Sequence, residues 1–222
     1  MVSEVSSVVE EYLEVIYRLQ ERYEIARTSD LVNMLKVSPG TVTNMIERLE
    51  RDLLVIHEPY KGVRLTERGR EIALSVIRRH RLLERLLVNI LGVEWYKAHE
   101  IACKLEHWID EHLAKRIEHV LGYPKTCPHG NPIPAENGEI PRGEGDYSLI
   151  SEMNVYERGV VSRILEEEST FLGYLEKIEM KPDTIIEVVE KSPLNDLITV
   201  KVDGKVRALS REVASRIMVR KT

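Results

Sequence analysis

The chain has 222 residues, 43% of them hydrophobic and 31% charged, with a formal net charge of −5 and only one Phe and two Trp. That length suits one large domain or two to three small ones with aliphatic cores, and the acidic balance argues against a protein that coats nucleic acid indiscriminately. No apolar run approaches the roughly 18–20 residues that span a bilayer, and the N-terminus lacks the basic and apolar parts of a signal peptide, so a cytoplasmic location is expected.

Val8 to Gln20 has the apolar spacing of an amphipathic helix. Thr28 or Ser29 is expected to cap a short helix through Leu35, and Val37-Ser38 to form a turn. Ser38 is a good N-cap, and Pro39 suits the first helical position, where its missing N–H would be unpaired anyway. The next helix carries Val42, Met45, Ile46 and Leu49 inward. Leu54–Glu58 and Val63–Leu65 flank the turn-forming Pro59-Tyr-Lys-Gly62 and read as a two-stranded wing. Thr66 can cap a long helix to about Ile90, ended by Gly92. One helix is expected from about Glu94 to Leu113 and another to Leu121.

Residues 122–145 hold five of the nine prolines and five of the twelve glycines, and read as a connector. Beyond it, a strand over Val155–Leu165, a helix over Ser169–Leu175 and strands at Ile185–Val189, Leu197–Val202 and Val206–Leu209 are expected. Asp203-Gly204 is a hairpin turn, since both residues tolerate positive φ. A small, bent β-barrel fits this spacing.

Two short helices, a tight turn and a hairpin make a winged helix-turn-helix, whose second helix would enter the DNA major groove. Its exposed N-terminal positions are Ser38, Pro39, Gly40, Thr41, Thr43 and Asn44, able to meet base edges, thymine methyls or phosphates. Arg27, Arg48, Lys61 and Arg64 are expected on the phosphate backbone. Residues 27–81 carry 11 Lys/Arg against 7 Asp/Glu, whereas the remainder sums to −9.

Further along, His99, Cys103, Glu106 and His107 fall on one stripe if their segment is one helix. His80 and Glu84 are spaced i, i+4, Glu11 and Glu14 i, i+3, and the connector supplies Cys127-Pro-His129. Thiolate, imidazole and carboxylate together suit a transition-metal cation. The two cysteines are expected to be thiols or ligands and not a disulfide.

At Arg79–Leu87, His99–His107, Cys127–Pro134, Ser38–Thr43 and Glu50–Val55 the chain resembles the metal-dependent repressors typified by the diphtheria toxin repressor, the iron-dependent regulators and the manganese transport regulators. The likeness is clear over about residues 8–135. It implies a mainly α fold with α+β features: a winged helix-turn-helix over 1–71, a helical dimerisation and metal-binding domain with the connector over 72–145, and an SH3-like domain over 146–222. It implies a primary metal site of Glu11, Cys103, Glu106 and His107, with His80 nearby or in the second site. The second would use His80, Glu84, His99 and a carboxylate from the last domain, with Glu167 in about the right place.

Three departures bear on the ligands. Thr170 stands where some iron regulators have Gln. Cys127 and His129 match the Cys-Pro-His that streptococcal-type manganese regulators recruit. Glu11 stands where iron-type members have Met, while Cys103 stands where manganese-type members have Glu. The thiolate favours Fe²⁺ over Mn²⁺, with Mn²⁺ the alternative and Zn²⁺, Co²⁺ or Ni²⁺ able to bind in vitro.

The expected mechanism is that a cation ties elements distant in sequence, offsets the repulsion of Glu11, Glu14 and Glu106, and favours one placement of the recognition helix. The apolar faces of the helices after the wing imply a homodimer, hence a roughly palindromic double-stranded operator. Two other classes share some of these features. His99-Glu100 begins a zinc-protease motif, but Cys103 stands where its second His belongs and would blunt the Lewis acidity, so no enzyme is expected. A winged-helix regulator of an organic ligand would leave the His and Cys residues incidental.

Overall fold

The computed structural model describes residues 5–141, 143, 145–192 and 195–222. Its contacts divide into two units: one runs to Arg79 and includes Glu106–Asp110 and Pro134–Glu139, and the other comprises His80–Leu105, Glu111–Ile133 and the chain from Ile140 on. Among the described residues no helix is long and apolar enough to cross a membrane.

In the first unit, α1 (Ser7–Gln20) buries Val9, Leu13 and Ile16 on one stripe, with Tyr12 and Tyr17 alongside. α2 (Thr28–Leu35) follows, but Arg27 occupies its cap position and Thr28 is already helical, so the expected hydroxyl cap is absent. Lys36, at φ 54°, turns the chain into α3 (Pro39–Arg51). There the local chemistry acts as expected: the Ser38 hydroxyl accepts from the Thr41 amide at 3.2 Å, with Pro39 in the first turn. Val42, Ile46 and Leu49 face inward.

The wing pairs β1 (Val55–Glu58) with β2 (Gly62–Leu65) in antiparallel register. Ala26 bridges to Val63 through both of its backbone groups. Gly62 is required here: its φ is +140°, and a Cβ would fall on the Ala26 carbonyl oxygen. The Thr66 hydroxyl then accepts from the Gly69 amide at 3.1 Å and opens α4 (Glu67–Asn89).

The expected helix over Glu94–Leu113 is broken. A 3-10 turn (Trp95–Lys97) leads into α5 (Ala98–Leu105), a second 3-10 turn covers Glu106–Trp108, and α6 runs Glu111–Val120. A 3-10 turn has 3.0 residues per turn, so Glu106 and His107 do not continue the stripe shared by His99 and Cys103. Nothing in the intervening sequence, neither Gly nor Pro, marks this break.

Connector carbonyls are satisfied from α4: Arg78 donates to Pro134, Arg81 to Pro132 and Arg85 to Thr126. Prolines supply carbonyls without amides, so a buried proline-rich stretch needs outside donors of this kind.

In the C-terminal region β3 (Tyr147–Leu149), β4 (Arg158–Ile164), α7 (Ser169–Lys177), β5 (Ile185–Ser192), β6 (Leu197–Val202), β7 (Lys205–Ser210), α8 (Arg211–Ala214) and β8 (Ile217–Lys221) follow in order. Six of these strands form one antiparallel sheet, β3-β8-β4-β5-β6-β7, with irregularities at Val161/Arg163 and Val188/Glu190 that bend it. β3, α8 and β8 were not foreseen, and β4 begins later than expected because Tyr156, at φ 70°, turns the chain first. The sheet packs Val161, Ile186, Val188, Val200 and Ile217 against Leu172 and Leu175 of α7, and Trp95 joins this core. Asp203 and Gly204 take positive φ and close the β6–β7 hairpin as expected.

Candidate metal centre and nucleic-acid surface

In the second unit, α4 presents His80 and Glu84 one turn apart, and α5 presents His99 and Cys103 likewise. The connector and the loop before α7 supply Cys127, His129 and Glu167. His80, Glu84 and His129 are fully buried. Glu84 Oε1 lies 3.1 Å from His80 Nε2, 3.1 Å from His129 Nδ1 and 3.5 Å from His99 Nδ1. Glu167 Oε2 is 3.5 Å from His99 Nδ1, and its Oε1 is 3.8 Å from His129 Nδ1. Cys103 Sγ lies 3.6 Å from His99 Nε2 and 4.0 Å from His80 Nδ1, while Cys127 Sγ lies 3.9 Å from His129 Nδ1.

Three donor groups result: His80–His99–Cys103, His80–Glu84–His99–Glu167 and Glu84–Cys127–His129–Glu167, each with its ligand atoms within 4.8 Å of one another. Outer partners aim these donors. His129 Nε2 lies 3.1 Å from the Trp95 carbonyl oxygen, which leaves Nδ1 toward the carboxylates. Asn131 Nδ2 donates to Glu167 Oε1 at 2.8 Å and to the Ile164 carbonyl. Such contacts orient metal ligands and fix imidazole tautomers. Sequence reasoning missed both Trp95 and Asn131, whose residue types carry no ligand signal.

The electrostatics are those of a cluster arranged around positive charge. Burial works against charging Glu84, but His129 and His80 outweigh it and hold the carboxyl well below its ordinary range. Burial likewise opposes the charge on His99, yet hydrogen bonds to Cys103 and Glu84 push it up to about 9. His129 is raised against burial by the Glu84 charge. The two thiols diverge: Cys103 is lowered, hydrogen bonds to His80 and His99 overcoming burial, whereas burial and the Glu84 charge raise Cys127. Among the described residues, Glu84 Oε2 is buried without a hydrogen-bond partner. An orphaned buried polar atom costs about 1–3 kcal/mol, more for a charged group, and a cation would satisfy it. The mixed N, O and S donors thus fit a first-row divalent metal, whose binding would displace imidazole protons.

The first unit holds a second constellation. His107 Nδ1 is 2.7 Å from Glu10 Oε2, Arg79 donates to Glu10 Oε1 at 2.7 Å, and His107 Nε2 is 3.4 Å from Glu106 Oε1. The Glu10 hydrogen bond and the Glu106, Glu10 and Glu14 charges raise His107, although burial resists. Glu10 is lowered because His107 and Arg79 outweigh its burial. Glu11, the expected ligand from α1, is exposed, and Glu14 is buried with Arg18 at 2.8 Å. The i, i+4 pair Glu10/Glu14, in phase with buried Leu13 and Tyr17, was the readable signal. Cys103 belongs to the second unit, and Glu106 and His107 to the first.

On α3 and the wing, and at the residues that cap α2 and α3, Ser38, Pro39, Thr41, Thr43, Asn44, Arg48, Arg27 and Lys61 are exposed. The Thr43 hydroxyl donates to the Pro39 carbonyl at 3.0 Å, within its own helix. Arg64 is only part-exposed and is tied to Glu58 at 2.8 Å and Glu24 at 3.0 Å, where it braces the wing. Tyr60, fully exposed at φ 65°, forms the wing tip.

Family models match in three consecutive blocks: the iron dependent repressor N-terminal DNA binding domain over residues 4–63, the iron dependent repressor metal binding and dimerisation domain over 66–135, and the FeoA domain over 149–221. The diphtheria toxin repressor of Corynebacterium diphtheriae is 30% identical over 219 residues, 95% of each chain. The chain belongs to the iron-dependent repressor family. The iron-dependent repressor IdeR of Mycobacterium tuberculosis is 39% identical over 151 residues, 67% of this chain and 66% of that protein, so the match spans just under two thirds of that relative. A solved manganese-dependent transcriptional repressor in complex with manganese is 32% identical and superposes with a TM-score of 0.87, covering 96% of this chain and all of the other.

Proposed function

We propose that this protein is a divalent-metal-dependent, DNA-binding transcriptional repressor of metal-uptake genes, acting in the cytoplasm as a homodimer on a roughly palindromic operator, and not an enzyme. The observation that carries the metal dependence is the buried Glu84 carboxylate, facing three imidazoles with Oε1 while its Oε2 has no partner. His80, Glu84, His99 and Glu167 would hold one cation, with Cys127 and His129 available on its far side. Within the first unit, Glu106, His107 and the α1 carboxylates Glu10 and Glu14 would supply donors for the activating cation. The metal would supply positive charge that joins segments far apart in sequence. A cation that binds one arrangement of those segments more tightly shifts the population toward it, and bound DNA tightens the cation by the same factor.

Fe²⁺ is the favoured ion because two thiols lie among the donors; Mn²⁺ is the alternative, supported by the carboxylate-rich set of the first unit. Zn²⁺, Co²⁺ and Ni²⁺ would bind in vitro. The test is selection from a random duplex pool by the full chain, anaerobically, with Fe²⁺, with Mn²⁺ or with chelator. Enrichment of a two-fold symmetric sequence only when metal is present supports the reading. Enrichment of the same sequence under chelator overturns it.

A further inference from the structure

The geometry points to a carboxylate-bridged pair of cations in the second unit, with Glu84 and Glu167 shared between two unequal ligand sets. The inference rests on the proposal that this unit holds divalent metal, and goes beyond it in number and linkage.

The sharing is visible in the donor groups themselves. One is His80, Glu84, His99 and Glu167; the other is Glu84, Cys127, His129 and Glu167. Both carboxylates belong to both. The two oxygens of Glu167 meet different imidazoles: Oε2 lies 3.5 Å from His99 Nδ1, and Oε1, which accepts from Asn131 Nδ2 at 2.8 Å, lies 3.8 Å from His129 Nδ1. A carboxylate that serves one ion has no need to split its oxygens between two imidazoles on different segments. Glu84 adds the second link. Its Oε1 sits between His80 and His129, each at 3.1 Å, and its Oε2 is buried without a partner. Bridging gives that oxygen a ligand while Oε1 keeps its place between the two imidazoles.

Six side chains suffice for two ions. The histidine set offers two nitrogens and two oxygens, and the connector set a nitrogen, a sulfur and two oxygens. Glu84, Glu167 and the Cys127 thiolate place three negative charges against the pair. Bridging carboxylates hold metal ions about 3.5–4 Å apart. The connector set, with its thiolate, is the softer of the two.

The test uses the full chain loaded anaerobically with Mn²⁺, with bound metal counted after equilibrium dialysis and electron paramagnetic resonance recorded at full loading. Parallel samples carry His99→Gln, His129→Gln and Glu84→Gln, each checked for native circular dichroism. A bridged pair predicts an exchange-coupled spectrum in the unaltered protein. His99→Gln and His129→Gln should each lose one equivalent of Mn²⁺ and abolish the coupling, and Glu84→Gln should lose two equivalents. Loss of the same single equivalent in all three variants, with an uncoupled spectrum throughout, overturns the pair but leaves a mononuclear site. Unchanged stoichiometry in all three overturns the pair together with the reading beneath it. Should Glu84→Gln fail to fold, the spectrum of the unaltered protein and the two histidine variants still decide.

Discussion

Asn131 holds Glu167 from one side: its Nδ2 donates to Glu167 Oε1 at 2.8 Å while also reaching the Ile164 carbonyl at 3.0 Å. A connector residue thereby ties the carboxylate to strand β4 and fixes which way its two oxygens point. Replacing Asn131 with Ala should weaken metal binding in the second unit by about 10–100-fold, the usual cost of losing an outer-sphere partner. Competition for Mn²⁺ against a chelator of known affinity measures this. An unchanged affinity would show that Glu167 is held in place without Asn131.

Gly130 follows His129 at φ +86°, and a Cβ there would fall on the Ser162 carbonyl oxygen. Its neighbour His129 accepts from the Ile164 amide at 2.9 Å through its own carbonyl. Gly130→Ala should cost at least about 1–3 kcal/mol in backbone strain alone, before the clash is counted. A lowered thermal midpoint together with weaker metal binding is expected. A variant as stable as the parent would mean that the connector shifts away from β4 without penalty.

The thiols should differ in reactivity. Cys103 is exposed and its pKa is lowered, whereas Cys127 is buried and its pKa is raised. Thiolate character and access together control alkylation. Iodoacetamide followed by peptide mass mapping should therefore modify Cys103 well before Cys127, and Mn²⁺ should slow the modification of Cys103. Equal rates at the two positions would contradict the burial difference.

In the wing, Lys61 and Arg64 should behave differently. Lys61 is exposed and loosely held at 3.2 Å by Glu58, so it is available to a phosphate. Lys61→Ala should lower the salt slope of DNA binding by about 1. Arg64 is committed to Glu58 and Glu24, so Arg64→Ala should reduce affinity by loosening the hairpin and leave the slope unchanged. Affinity measured against salt concentration separates the two effects.

On α3, the Thr43 hydroxyl is already engaged by Pro39, while Asn44 is exposed. Thr43→Val, which keeps the methyl, should retain sequence preference, whereas Thr43→Ala should reduce it. Asn44→Ala should lose discrimination worth about 1–3 kcal/mol at one base pair if its amide reads a base edge. Specific and non-specific duplexes compared side by side give the answer, and an equal loss on both would assign Asn44 to the backbone.

The features legible in the sequence were those set by neighbouring residues. Ser38-Pro39 announced the start of α3, Thr66 that of α4 and Asp203-Gly204 the last hairpin, because caps and tight turns are decided within a few residues. β8 was not legible: Ile217–Lys221 is a strand because β3 and β4, whose paired residues lie 53–73 positions earlier, flank it on either side. The 3-10 turn at Glu106–Trp108 also lacks a local breaker, so a single helix was the natural reading of the histidine-rich segment. The pairs His80/Glu84 and His99/Cys103 needed only helical periodicity. Choosing Glu10 over Glu11 as the partner of His107 needed the phase of α1 against its core.

Trp95 touches both ends of the Pro128-His129 step: its indole Nε1 donates to the Pro128 carbonyl at 2.9 Å, and its own carbonyl meets His129. The two rings lie 5.0 Å apart between centroids. A charged imidazole at that range draws excited-state electron density from an indole, and a neutral one does not. Displacing a proton from His129 should therefore brighten the emission of buried Trp95, so that a change in fluorescence on adding a divalent cation would report loading at this position.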